Sequence, residues 1–294
     1  MTTDKPEEAE VPVVRILAPN PGPFTGDGTN TWLVGREALA VIDPGPDDDR
    51  HLVAILAAAE DRPITHILVT HAHRDHVDGV ARLKRLTGAV VLGHPRDQDE
   101  ALRPFDVAQS PSGGDFIDWD VAIDRVVSDG QAFLAGDVSF EAIHTPGHAP
   151  DHLCFAPDGS NILFSGDHVM GWSTSVIAPP EGSMGHYLAS LERLLDRRES
   201  RYLPGHGNPV EDGPRTARAY LLHRRMREQA IIDALKGGAT TSLDIAEKVY
   251  EGLDRSIWNA AVLSVQAHVE HLHEKHLVTY VGPLTAERPL ALSL

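Results

Sequence analysis

The chain has 294 residues, of which 41% are hydrophobic, and a formal net charge of −17 at pH 7. This length allows one large domain or a large and a small one, and the composition is that of a globular protein. The first residues are acidic and lack a secretory signal, no uncharged run is long enough to cross a membrane, and a single cysteine excludes an intrachain disulfide. We therefore expect a cytoplasmic protein that does not bind membranes.

Negative charge is concentrated in the first part of the chain. Residues 1–214 include 16 basic and 34 acidic residues, a balance of −18, whereas residues 215–294 include 10 and 9, a balance of +1. An acidic surface repels polyanions on average, which weighs against nucleic-acid binding by the larger part. Residues 1–11 are predicted to be disordered.

Apolar runs bounded by Gly, Pro and polar residues predict a strand-rich domain at residues 12–214. In chain order, strands are expected at residues 13–17, 31–34, 39–42, 64–69, 89–92, 131–134, 138–144, 152–155 and 161–164, and helices at residues 51–59 and 187–196. This mixture predicts two sheets packed on each other with helices outside. Residues 103–120 contain a Gly- and Pro-rich run and predict a surface excursion near the mouth of a site.

Four apolar residues recur at helical spacing after the strand at residues 64–69 and predict one continuous helix face. They are Val77, Val80, Leu83 and Leu86. From residue 216 the pattern becomes helical, with helices expected at residues 217–235, 242–250 and 257–273 and a strand at residues 277–281. We expect these elements to form a small second domain at residues 215–294.

A cluster of potential metal ligands follows the strand at residues 64–69. Four ligand-type residues lie within six positions: His71, His73, Asp75 and His76. In an extended chain alternate side chains point the same way, so the first three would share one side and His76 would point elsewhere. The spacing therefore predicts two neighbouring metal positions, and imidazole and carboxylate are ligands that zinc accepts.

Three further candidates lie downstream, each beside a glycine on a turn after a predicted strand. They are His148, Asp167 and His206. Gly147 is expected to allow the tight turn that directs His148 inward. Because all three lie at strand ends, they predict one convergent metal site.

Taken with Asp43, these motifs occur in the order typical of the metallo-β-lactamase superfamily, which the chain resembles over residues 12–207. The resemblance implies an α/β (α+β) fold, a four-layer αβ/βα sandwich with a dinuclear metal site. It assigns His71, His73 and His148 to one ion, Asp75, His76 and His206 to the second, and Asp167 to a bridge between them. Asp43 would orient a ligand histidine, and His152 and His168, which lie near ligands in sequence, are expected to support the site from outside it.

The last part of the chain resembles the winged-helix appendage of the lactamase-beta-like protein 2 subgroup. Residues 223–229 and 244–250 carry this resemblance, and residues 28–31 and 178–182 fit the same subgroup. The predicted third helix, at residues 257–273, has almost no Arg or Lys, which argues against DNA binding. We expect the domain to cap the active-site mouth or to form a homodimer contact.

The resemblance implies a hydrolase in which two Zn²⁺ ions, or other divalent ions such as Mn²⁺ or Fe²⁺, activate a shared water. Asp75 and Asp167 would orient this water, and His152 and His168 are candidates for protonating the leaving atom. The acidic charge favours a small ester, thioester or lactone as substrate.

Two alternatives stay open. The subgroup includes an endoribonuclease acting on single-stranded RNA, and arginines at positions 215, 218, 224, 225 and 227 would suit that substrate. We favour the interpretation that this helix is solvated and pairs with acidic neighbours. The second alternative is a sulfur oxygenase on the same fold with a single iron ion.

Overall fold

The computed structural model of this protein describes residues 11–95, 116–118 and 120–293. The predicted disorder of residues 1–10 and most of the excursion predicted at residues 103–120 lie outside the described residues. Two β-sheets form the centre of the larger domain. Among the described residues, no helix is long and apolar enough to cross a membrane.

The first sheet has six strands that follow one another in space as they do in the chain. They are β1 (Val13–Leu17), β2 (Asn30–Val34), β3 (Leu39–Ile42), β4 (Ile64–Leu68), β5 (Val90–Gly93) and β6 (Arg125–Val126). The first three pair antiparallel, and β3 to β6 pair parallel. The sequence did not predict β6, because it comprises only two exposed residues and has no apolar pattern.

The second sheet has five strands in the order β11-β10-β9-β8-β7. They are β7 (Ala132–Ala135), β8 (Val138–His144), β9 (Leu153–Pro157), β10 (Ile162–Gly166) and β11 (Arg201–Pro204). Neighbours pair antiparallel except β10 and β11, which are parallel. Strands β10 and β11 therefore deliver the residues that follow them to the same edge of the sheet.

Three hydrophobic clusters hold the layers together. One lies between the sheets, where aromatic residues such as Trp32, Phe155 and Phe164 are buried. The second joins the first sheet to α1 (Asp49–Ala59) and α3 (Val80–Thr87), and the third joins the second sheet to α4 (Met184–Leu195). The layers run helix, sheet, sheet, helix, which confirms the predicted αβ/βα sandwich.

The segment after β4 is not the single helix that the apolar spacing predicted. A short helix α2 (Arg74–Val77) ends before Gly79, and a separate helix α3 begins at Val80. Gly79 lies against the backbone, since a Cβ at this position would lie 3.1 Å from the carbonyl oxygens of Pro44 and Gly45. Leu86 is 58% exposed, so the prediction that it shares the buried face is wrong.

The C-terminal part contains α5 (Gly213–Lys236), α6 (Ser242–Val249), α7 (Trp258–Glu274) and a hairpin of β12 (Val278–Thr279) and β13 (Ala291–Leu292). Residues of α5, α6 and α7 form a fourth hydrophobic cluster with this hairpin. The start of α5 instead packs against the second sheet through Ala217 and Leu221. Helix α5 thus belongs to both cores, and the domain boundary at residue 214 stays a prediction.

Candidate metal centre

The predicted ligands come together at one edge of the sandwich. His71 and His73 follow β4, His148 follows β8, Asp167 follows β10 and His206 follows β11. The turn before His148 depends on Gly147, which has a φ of +140°. A Cβ at Gly147 would overlap the backbone of Tyr187 at the start of α4. Close packing of this turn against α4 directs His148 toward the other ligands.

Three histidines form the first group. His71, His73 and His148 each offer a ring nitrogen, and these three atoms lie within 4.8 Å of one another. The Nε2 atom of His148 lies 3.0 Å from Nδ1 of His73. The Nε2 atom of His71 is buried and has no hydrogen-bond partner among the described residues.

Asp75, His76 and His206 form the second group. Nε2 of His206 lies 3.1 Å from Oδ2 of Asp75 and 3.2 Å from Nε2 of His76. The spacing argument had placed Asp75 on the side of His71 and His73. That prediction is wrong because the extended chain ends at His73 and α2 begins at Arg74, which turns Asp75 toward His76.

Asp167 lies between the two groups. Its Oδ2 atom is 3.4 Å from Nε2 of His206 and 3.7 Å from Nε2 of His148, and its Oδ1 atom is 3.5 Å from Nε2 of His76. Oδ1 is buried without a hydrogen-bond partner in the part of the chain that the structure describes. This is the position that a bridging carboxylate would need.

Each of the five histidines also has an acceptor on its outer side. The contacts join His71 Nδ1 to Thr70 Oγ1 at 2.9 Å, His73 Nε2 to Glu181 Oε2 at 3.4 Å, His76 Nδ1 to Asp43 Oδ2 at 2.9 Å, His148 Nδ1 to the Val176 carbonyl at 2.7 Å, and His206 Nδ1 to the Gly28 carbonyl at 3.2 Å. A carbonyl can only accept, so the outer nitrogens of His148 and His206 carry the proton. In the neutral form of each ring, the form that binds a metal ion, the inner nitrogen then presents its lone pair.

Asp43 supports both groups. It accepts hydrogen bonds from the Thr70 backbone N–H at 2.8 Å, from the Thr70 hydroxyl at 2.7 Å and from His76. Because the Thr70 hydroxyl donates to Asp43, its oxygen accepts from Nδ1 of His71. Asp43 is thus placed as the sequence predicted, and through Thr70 it reaches a second histidine that the sequence did not indicate.

Electrostatics differ between the two groups. Burial is the main cause and neighbouring histidines the second cause that lower the pKa of His71 well below its usual value and the pKa of His148 to about 4. Burial also opposes charge on His206, but Asp167 and Asp75 outweigh it and raise its pKa to about 10. The first group therefore offers neutral imidazoles, whereas in the second group the carboxylates of Asp75 and Asp167 stabilise positive charge, which is the property that a bound cation needs.

These donors fit divalent metal ions. The set contains only imidazole nitrogens and carboxylate oxygens, the ligand types that zinc and its neighbours accept. Nε2 of His71 and Oδ1 of Asp167 are buried acceptors that have no hydrogen-bond partner among the described residues, which suits them to contact a cation. His71, His73 and His148 would hold one ion, Asp75, His76 and His206 the other, and Asp167 would contact both.

The two other predicted supporting residues differ from each other. Nε2 of His152 accepts the backbone N–H of Asp167 at 3.1 Å and so supports a predicted ligand. The ring of His168 packs on Tyr187, and neither of its nitrogens has a hydrogen-bond partner among the described residues. Both rings are fully buried and neither lines the pocket, which contradicts their predicted role as proton donors to the leaving atom.

A pocket of about 270 Å³ opens over the ligands. Its wall is mostly apolar and includes Phe24, Phe116, Met170, Val176 and Ala178, with Arg74 and Glu181 as charged members. Sequence reasoning missed Glu181. The resemblance at residues 178–182 pointed to this segment, but the contact joins residues 108 positions apart, which spacing alone does not reveal.

The C-terminal part holds one wall of this pocket. Arg224 is 2% exposed and donates to the Ser175 carbonyl. The Tyr220 hydroxyl donates to the carbonyls of Met170 and Ser173 at 2.8 and 2.6 Å. Since Met170 lines the pocket, helix α5 supports the pocket wall.

The arginines of α5 are mostly engaged within the protein. Arg224 is buried, which the interpretation of a fully solvated helix did not expect. Arg225 pairs with Glu192 at 3.0 Å, as that interpretation did expect. Arg227 donates to the Val249 carbonyl and lies 4.3 Å from the ring centroid of Tyr250. Three of the five arginines therefore have partners that a polyanion would have to displace.

Comparisons with known proteins agree with this architecture. Residues 24–206 match the model of the Metallo-beta-lactamase superfamily, and residues 241–283 match the Beta-lactamase associated winged helix domain. The Beta-lactamase-like protein 2 homolog of Drosophila melanogaster is 32% identical over 270 residues, covering 90% of this chain and 88% of its own. The Atrochrysone carboxyl ACP thioesterase of Claviceps purpurea is 30% identical over 254 residues, covering 83% and 74%. A beta-lactamase domain protein from Burkholderia ambifaria has the same fold, with a TM-score of 0.80 at 19% identity over 96% of this chain and 91% of its own.

Proposed function

Because this chain belongs to the metallo-β-lactamase superfamily and is a hydrolase of that fold, we propose that it uses two zinc ions to hydrolyse a small ester or thioester. Its similarity to a protein named as a thioesterase supports this substrate class. The resemblance to the beta-lactamase-like protein 2 homologs does not separate this substrate class from RNA, because that subgroup is the source of the RNA alternative.

The observation that carries the proposal is the pocket. It is about 270 Å³ in volume, and its walls beyond the predicted ligands are mostly apolar. Arg74 is the only Lys or Arg among the described residues of this wall, and it pairs with Asp78 at 3.2 Å. A phosphodiester chain is bound mainly through cationic side chains, whereas an acyl group gains from apolar walls.

The C-terminal domain lends no support to the RNA alternative. Three of the five arginines of α5 already have partners within the protein. Helix α7, which would have to enter a DNA groove, is buried over most of its length. We therefore propose a small-molecule substrate and neither RNA nor DNA as partner, while the homodimer and the cytoplasmic location stay predictions.

Bound divalent ions would lower the pKa of a water and stabilise the negative charge that develops on the substrate carbonyl. The protein supplies the geometry. Burial favours the protonated form of Asp75 and Asp167, but His76 and His206 outweigh it and keep the pKa of both carboxyls low. Both carboxylates are therefore ionised and can accept a hydrogen bond from the attacking water, which fixes its direction. Phe24 and Met170 contribute apolar surface to the pocket beside these carboxylates.

A substrate panel tests the proposal. We would assay purified zinc-loaded protein with a glutathione thioester, a lactone, nitrocefin, bis-p-nitrophenyl phosphate and a single-stranded RNA. The expected result is turnover of the thioester or the lactone that is lost in His73→Ala and kept in His186→Ala, an exposed histidine outside the pocket. RNA cleavage that is lost in His73→Ala, with no ester turnover, would replace this proposal by the ribonuclease.

Metal analysis tests the zinc assignment separately. Two groups of ligands on either side of Asp167 support two ions per chain. Purified protein is expected to contain close to two zinc ions per chain, and activity should return to chelator-treated protein when zinc is added. One iron per chain without zinc would support the sulfur oxygenase alternative instead.

A further inference from the structure

We infer that Glu181 is a positioning residue of the metal centre, which fixes the ring and the tautomer of His73 for one of the two ions. The inference rests on the proposed metal centre but not on the proposed substrate. It concerns a carboxylate far from the ligand motifs in sequence, on the segment between Asp167 and α4.

The other four histidines of the centre share one arrangement at their outer nitrogen. Each of them has an outer nitrogen in contact with an oxygen: the Thr70 hydroxyl, the Asp43 carboxylate, the Val176 carbonyl or the Gly28 carbonyl. Metal-binding histidines generally donate their second N–H to such an acceptor, which orients the ring and raises the basicity of the ligating nitrogen. Among the described residues, Glu181 is the acceptor that stands in this place for His73.

The ring of His73 is turned the opposite way from the other four. Its Nδ1 atom faces inward, 3.0 Å from Nε2 of His148, whereas the other four histidines face the cluster with Nε2. The outer nitrogen of His73 is therefore Nε2, at the far end of the ring. Oε2 of Glu181 lies 3.4 Å from that atom, and the two side chains are 3% and 9% exposed.

The backbone around Glu181 is well fixed. The Gly182 N–H donates to the Ala178 carbonyl at 2.8 Å, and a Cβ at Gly182 would lie 2.6 Å from the Ala178 nitrogen. The next residue, Ser183, donates to the Gly147 carbonyl at 2.8 Å and is the N-cap of α4. Glu181 is thereby anchored to the turn that carries His148, a ligand in the same group as His73.

The chemistry explains why a carboxylate is useful here. A charged acceptor holds the proton on Nε2, so the lone pair of His73 stays on Nδ1, where the other ligands converge. A buried carboxylate is costly unless it is paired, and the contact with His73 offsets part of that cost. Removing the carboxylate should therefore weaken the ion held by His71, His73 and His148 more than the ion held by Asp75, His76 and His206.

The test measures metal binding rather than activity. We would titrate wild type, Glu181→Gln, Glu181→Asp and Glu181→Ala with zinc against a chromophoric chelator, and record visible spectra of the cobalt(II)-loaded proteins. In each Glu181 variant one of the two ions should bind more weakly, by about 10-fold for Gln and up to about 100-fold for Ala. The other ion should keep its affinity, and only the part of the cobalt spectrum due to the weakened ion should change.

Glu199→Gln is the matched control. Glu199 is also fully buried, but it pairs with Arg197 at 2.8 Å and does not contact the ligands. This variant should lower the melting temperature and leave both zinc affinities unchanged. Unchanged affinities in the Glu181 variants would overturn the inference, and so would an equal loss for both ions. If the wild-type protein itself binds no zinc, the proposed function and this inference both fail.

Discussion

Replacing Asp43 by Asn tests the idea that one carboxylate supports both halves of the metal centre. The substitution preserves shape, and Asn tolerates the left-handed backbone that Asp43 adopts, with φ at 50°. The change therefore acts on hydrogen bonds. Asp43 is 2% exposed and accepts from the Thr70 N–H, the Thr70 hydroxyl and His76.

The magnitude follows from the number of acceptors. The amide oxygen of Asn can keep the Thr70 N–H, but its NH₂ then faces two groups that donate in the native protein. Each hydrogen bond to a charged partner contributes about 1.5–3 kcal/mol, so the loss of two predicts that the unfolding free energy falls by about 3 kcal/mol or more. Because Thr70 contacts His71 and Asp43 contacts His76, zinc affinity should fall 10- to 100-fold for both ions.

Two measurements check this prediction: urea unfolding of the metal-free proteins and zinc titration against a chelator. Asp137→Asn serves as the control, because Asp137 accepts backbone N–H groups of Arg36 and Glu37 remote from the ligands. The control should keep both zinc affinities. Wild-type affinity for both ions in Asp43→Asn would refute the reasoning, and loss of a single ion would refute the link through Thr70.

Gly205→Ala should lower zinc content, because a Cβ would lie 2.5 Å from Oδ1 of Asp167 and 2.6 Å from Cε1 of His76; elemental analysis with full zinc occupancy would contradict this. Burial raises the pKa of the Cys154 thiol to about 12, so the native protein should resist iodoacetamide at pH 8, and rapid labelling seen by mass spectrometry would be inconsistent with it. Burial and then Glu274 raise the pKa of Glu270 to about 7. The folded protein therefore binds the extra proton, and stability should fall by up to about 3 kcal/mol as pH rises from 4.5 through 7. In Glu270→Gln, the unfolding free energy measured with urea should not show this fall between pH 4.5 and pH 7.

The sequence could bring His71, His73, His148, Asp167 and His206 to one edge of the sandwich because each of them lies shortly after a strand. Strand ends are fixed by short apolar runs, and the residues after His144 and Gly166 could be placed from those runs alone. It was harder to predict which ligands share one metal ion. Alternation of side chains in an extended chain put Asp75 with His71, and this failed because α2 already begins at Arg74, a boundary that spacing does not define.

Long-range contacts were the part that the sequence could not supply. The patterns around Glu181 and Arg224 did not indicate what either side chain touches. The sequence pattern grouped Arg224 with the solvated arginines. Helical spacing gives only the direction in which a side chain leaves the helix axis of α5, and not what lies in that direction. Whether that face meets solvent or Ser175 depends on how α5 crosses the second sheet, which is a tertiary property.

The outer partners of the five histidines also bear on how this centre can change by mutation. For His148 and His206 the partner is a peptide carbonyl, which no side-chain substitution can remove. Asp43 reaches histidines of both groups, so any change there alters both ions at once. Two side chains among these partners contact a single histidine, Thr70 and Glu181, but Thr70 is also hydrogen-bonded to Asp43, which links it to the other group. A substitution at position 181 is therefore the most direct way, in evolution or in protein engineering, to change the metal preference of one binding position without changing the other.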